Sequence, residues 1–92
     1  MSPLLILVTF AKKYDLDFKM SDLYTPLDWS IRGESYGTES ELVVTHDGGC
    51  WAPFMSHDYQ EYSLMEKLNK ALEEHGYYVE QCTGWYSAIY EI

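Results

Sequence analysis

The stretch LLILVTF, residues 4 to 10, is an unbroken apolar run, and its reading sets the layout of everything after it. With Ile6, Val8 and Thr9 in so short a run, it predicts a strand buried on both faces, a central strand of a sheet. At seven residues it falls well short of the roughly 20 that cross a bilayer. No basic segment precedes it and no small-residue cleavage site follows, so a signal peptide is not expected. The expectation is an intracellular, cytoplasmic protein without a membrane segment. Cys50 and Cys82 are then expected to be reduced and partly buried. In a secreted chain, a single disulfide between them would be the alternative.

Beyond Lys12 and Lys13, the stretch YDLDFKM alternates: Tyr14, Leu16, Phe18 and Met20 against Asp15, Asp17 and Lys19. That period predicts a half-buried strand, paired as a hairpin with the first. Pro26 breaks the pattern, after which Leu27, Trp29 and Ile31 alternate with Asp28, Ser30 and Arg32 and predict another strand. GESYGTESE, with two glycines and three glutamates, reads as an exposed loop. Asp47-Gly48 lies between ELVVTH and CWAPF, two β-prone runs, and is a hairpin signal.

One helix is expected, over about residues 58–75. Leu64, Met65, Leu68, Ala71 and Leu72 make a single apolar stripe. Asp58 with Glu61 has capping-box spacing, Ser56 is a second candidate cap, and Gly76 supplies the stop. The last segment reads as two strands around Thr83-Gly84, with Val79, Trp85, Ile89 and Ile92 as core candidates. Together these give one α+β domain over residues 1–92: an antiparallel sheet of about five to seven short strands with the helix on one face.

The charge balance narrows the function. Fifteen acidic and six basic residues give a net charge of −9. Such a field repels phosphate backbones and anionic lipid and attracts basic surfaces, which disfavours direct nucleic-acid or membrane binding. Solubility alone also accounts for acidity of this size.

The cluster THDGGCWAPFMSHD, residues 45–58, invites a metal or catalytic reading. His46, Cys50, His57 and Cys82 are zinc-type ligands, but their spacing lacks the close pairs of structural zinc sites. Cys50 with His46 or His57 could form a nucleophile–base pair, yet no orienting third group or oxyanion hole accompanies it. Gly48-Gly49 is followed by Cys50 and Trp51 where a phosphate loop needs lysine and a hydroxyl residue. No catalytic residue, metal ligand or cofactor is therefore assigned. Trp51 and Phe54 are expected in the core or at an interface, and His75 to complement the helix end.

Nine tyrosines and three tryptophans exceed the needs of one small core, and these residues concentrate binding energy at interfaces. The expected partner-binding set is Glu34, Tyr36, Glu39 and Glu41 of the loop, Glu66, Glu73 and Glu74 of the helix, and Tyr86 and Tyr90 of the last strand. In size, acidity and lack of a catalytic motif, the chain resembles small acidic inhibitors encoded by phages, the anti-CRISPR and anti-restriction proteins that mimic DNA. The resemblance is one of overall character and assigns no individual residue. It implies a non-enzymatic inhibitor or decoy that covers a basic site on a nucleic-acid-handling or defence protein. An immunity protein or antitoxin against a basic nuclease, a homo-oligomeric structural protein and a small metal-binding enzyme are the alternatives.

Overall fold

The computed structural model describes all residues, Met1–Ile92. Its first element corrects the opening expectation: the apolar run is not a strand but most of α1 (Pro3–Lys13). Local chemistry explains this. Ser2 Oγ accepts the Leu5 N–H at 3.3 Å, Pro3 occupies the first turn where its missing N–H costs nothing, and Lys12 and Lys13 sit in the last turn. Ile6, Leu7, Phe10 and Ala11 are buried while Leu5 and Thr9 face out, which is helical periodicity hidden inside a uniformly apolar string.

The following stretch keeps its alternation without becoming a strand. Tyr14, Leu16 and Phe18 pack against the main core and Asp15 and Asp17 are exposed, but no neighbouring chain forms a ladder with it. Met20 is exposed and opens a short 3-10 turn, Met20–Asp22, which leads into β1 (Leu23–Tyr24). The third expected strand is also a helix, α2 (Pro26–Ile31), with Thr25 Oγ1 accepting the Asp28 N–H at 3.1 Å. Trp29 is fully buried whereas Leu27 and Ile31 are 70% and 75% exposed. On a helix Leu27 and Ile31, four apart, share the outer face, and Trp29, two from each, points the opposite way.

Four strands make the sheet, fewer than expected. β2 (Leu42–Thr45), β3 (Tyr77–Gln81) and β4 (Tyr86–Glu91) join β1 in the antiparallel order β1-β2-β4-β3. The β3–β4 hairpin around Thr83-Gly84 is present as expected. Asp47-Gly48 does not connect a hairpin. β2 already has β1 and β4 on its two sides, so CWAPF has no place in the ladder. Instead the chain turns at Gly48 (φ +70°) and enters α3 (Ala52–Met55), which carries Pro53 in its first turn.

The expected long helix exists as α4 (Tyr62–Glu73) and starts later than residue 58. Ser56 caps a separate 3-10 turn, His57–Tyr59, and Gln60 adopts a left-handed conformation that breaks the two apart. The Asp58–Glu61 capping box is therefore not made: the α4 cap residue, Glu61, has no side-chain capping bond. The apolar stripe is as read, with Met65, Leu68 and Leu72 buried and Gly76 (φ +86°) ending the helix.

Helices on one face do not complete the fold, because both faces of the sheet are covered. On one, α1, α3 and α4 close over Leu42, Val44 and Ile89 with Leu7, Trp51, Met55 and Leu68. On the other, Trp29 of α2 packs with Val43, Tyr86 and Ala88. The loop after α2 presses on this second face. Trp29 Nε1 donates to the Tyr36 carbonyl at 3.0 Å, and Gly37 (φ +83°) passes so close that a Cβ there would meet Ala88 Cβ and Val43 Cγ2 at 3.4 Å. Among the expected core residues Ile89 is buried, Val79 and Trp85 are half-buried, and Ile92 is exposed. No helix is long and apolar enough to cross a membrane.

Candidate protein-binding groove

The loop covers only part of the second face. Toward the β3 edge the sheet emerges and forms the floor of a groove of about 400 Å³, with Ser35–Glu39 as one wall and Glu80, Gln81, Cys82 and Tyr90 opposite. Register explains the composition. Tyr78 pairs with Tyr90 and Glu80 with Ala88. Alternation along each strand therefore puts Tyr78, Glu80, Ala88 and Tyr90 on one face. The Tyr78 and Tyr90 rings stack with centroids 5.5 Å apart. Tyr36 at the rim is 62% exposed and Tyr78 37%.

The groove is negative. No lysine, arginine or histidine lines it, while Glu39 and Glu80 do. The Tyr90 phenol is raised above its ordinary pKa by burial, with Cys82, Glu80, Tyr78 and Glu39 adding to the shift. Cys82 is likewise raised by burial and then by Glu80, so its thiol stays protonated at neutral pH.

A second groove, also of about 400 Å³, lies between α1 and α4 and has the opposite character: Lys13, Lys67 and Lys70 line it together with Phe10, Tyr14, Glu74 and His75. Lys13 and Lys67 place their ammonium groups 5.5 and 5.7 Å from the centre of the Tyr14 ring. Of the six cationic residues, Lys12, Lys13, Lys67 and Lys70 belong to these two helices. α1 and α4 cover the other face of the sheet, where these lysines are interspersed with the exposed Glu66, Glu73 and Glu74.

The nine expected partner-binding residues consequently do not form one surface. Tyr36, Glu39 and Tyr90 line the negative groove, and Glu41 is exposed beside it, its N–H bonded to the Ile89 carbonyl at 2.7 Å. Glu34 is half-buried and already paired with Arg32 at 3.8 Å; that guanidinium lies over Tyr24 and Trp29. Glu66, Glu73 and Glu74 are exposed on α4, across the sheet from the groove. Tyr86 is corrected outright: it is 2% exposed and its ring meets Trp29 at 4.8 Å and Trp85 at 4.7 Å, so it is a core residue. Tyr78, Glu80 and Cys82 were missing from the expected set. The alternation within YVEQC held the signal, but which face of β3 stays open depends on where the Ser35–Glu39 loop lies.

The histidines and cysteines go their own ways. His46 is buried and its Nε2 is 2.9 Å from Ser87 Oγ, while Nδ1 and the Trp51 indole N–H have no hydrogen-bond partner. Burial lowers the His46 pKa, against the opposing pull of its backbone hydrogen bond and Asp47. Cys50 and Cys82 are both free thiols, and Cys50 is raised by burial first and then by Asp22. No basic side chain is among the influences on either thiol. No three His, Cys, Asp or Glu side chains are grouped to hold a metal ion.

The arrangement is suited to holding something positively charged against stacked tyrosines. No protein-family model, no curated protein and no solved structure matches the chain.

Proposed function

We propose that this chain is a protein-binding inhibitor or decoy whose acidic, tyrosine-lined groove occupies a basic, nucleic-acid-binding surface of a partner. The observation that carries this reading is the groove itself: Glu39 and Glu80 line it with Tyr36 and Tyr90, Tyr78 stacks on Tyr90, and no cation lines it. Carboxylates there take positions that phosphates would otherwise occupy, steering association, while tyrosines supply desolvated contacts that slow dissociation. The phage-type anti-defence inhibitors that the sequence resembles act in this manner, and a defence or nucleic-acid-handling protein is the partner class proposed. No catalytic step or cofactor is needed for the activity.

The test is capture by tagged protein from nuclease-treated lysate, followed by a competition assay on each captured basic protein. A partner of the proposed class loses nucleic-acid binding as the inhibitor is added, and the complex weakens as salt is raised. Captured proteins that bind nucleic acid equally well with and without it would overturn the proposal. So would an empty bait.

A further inference from the structure

Backbone geometry along β3 suggests how a partner engages. The Cys82 N–H donates to the Tyr86 carbonyl at 3.1 Å, and the Ile92 N–H to the Gly76 carbonyl at 2.8 Å. These bonds bracket the β3–β4 ladder, in which Tyr78 faces Tyr90 and Glu80 faces Ala88. In an antiparallel pair, bonded residues alternate with unbonded ones. Gly76, Tyr78, Glu80 and Cys82 therefore turn their amides toward β4. Tyr77, Val79 and Gln81 turn theirs away from it.

β3 is an outer strand with β4 as its one neighbour, and none of the backbone bonds outside the helices and strands involves those three residues. Sheets ordinarily guard such an edge with lysine, proline or a bulge. YYVEQ has no lysine and no proline, and Glu80 is its one charge. The Gln81 end is flanked by His57, whose N–H donates to Gln81 Oε1 at 2.9 Å, and no hydrogen bond from outside the sheet reaches Tyr77 or Val79.

We propose that β3 is the docking edge for an extended, basic segment of a partner protein, which lengthens the four-stranded sheet by one strand. The inference rests on the binding reading above and specifies its mode. Strand addition gives affinity through main-chain bonds and selectivity through alternate side chains. A residue of the added strand beside Glu80 projects on the groove face, within cross-strand reach of that carboxylate. One beside Tyr78 meets the Tyr78–Tyr90 stack, a platform for a guanidinium. Charge selects the occupant: with Glu80 the one charge of the edge strand and a net charge of −9, a second copy is repelled and a basic segment attracted.

The test uses the intact, isotope-labelled protein and a capped peptide of alternating arginine and valine, about seven residues long, enough to span the edge. Two controls accompany it: the same peptide methylated on the backbone nitrogens of its pairing edge, and one with glutamate for arginine. The expected result is slowed amide exchange at Tyr77, Val79 and Gln81 with the arginine peptide, and with neither control. Val79→Pro should abolish binding while leaving the fold intact, because the N–H it removes is not in the ladder. Glu80→Lys should weaken binding about tenfold. Binding that is lost with Glu80→Lys but indifferent to methylation and to Val79→Pro would overturn strand addition while sparing the electrostatic reading. Protection that appears without peptide as protein concentration rises would overturn it in favour of a second copy. Absence of binding at about 1 mM peptide, a very weak affinity, would overturn it altogether.

Discussion

The two faces of the sheet are built to different ends. The helical face is closed: twelve buried residues from α1, α3, α4 and the strands form one cluster, and the cations of α1 and α4 lie on its outside. The second face buries four residues and then stops, leaving Tyr78 and Glu80 exposed and Tyr90 half-buried next to a glutamate-bearing loop. A closed face serves stability. An open, acidic one suits the proposed contact, and its separation from the main core would let a small domain bind a partner without spending that core.

Breaking the smaller cluster should have the largest effect. Trp29 is fully buried, meets Tyr86 edge-to-face and donates to the Tyr36 carbonyl, so Trp29→Ala should cost about 3–5 kcal/mol in urea unfolding. A loss below about 1 kcal/mol would mean that the second face is no core at all. Gly37→Ala comes next, because it combines a left-handed φ with contacts at 3.4 Å to Ala88 and Val43. It should cost about 1–2 kcal/mol and shift loop resonances over the groove.

His46 sharpens the contrast through pH. Its folded pKa is lowered by burial, so the unfolded chain takes up the proton first as pH falls through about 6.5. The stability associated with neutral His46 is complete above that value and declines below it, toward the lower folded pKa. Denaturation midpoints measured from pH 8 to pH 5 should fall at the acid end, and His46→Gln should flatten that decline. The smallest effect on stability belongs to the groove: Glu39→Lys with Glu80→Lys should change it by no more than about 0.5 kcal/mol.

What was legible in the sequence followed the type of signal. The α4 stripe and the β3–β4 turn have periodicity and turn chemistry that agree, and both are where expected. α1 failed because a uniformly apolar string carries no visible period. Its caps, Ser2-Pro3 and Lys12-Lys13, were the signal to weigh, as was Thr25-Pro26 for α2. Tyr14 to Phe18 shows that alternating burial does not require a ladder. Asp47-Gly48 turns the chain, but tertiary pairing of β2 with β4 left no partner position for a hairpin. The candidate site was legible in kind, as acid and tyrosine. Its assembly was not, because the loop around Gly37 and the β3 edge meet only in the folded sheet.

The most direct measurement compares two double charge reversals against the captured basic partner: Glu39→Lys with Glu80→Lys in the groove, and Glu66→Lys with Glu73→Lys on α4. Binding affinity should fall by about tenfold or more for the groove pair and stay within about twofold for the helix pair. Equal losses would reduce the interaction to net charge, and a loss confined to the helix pair would place the binding surface on the wrong face and contradict the account.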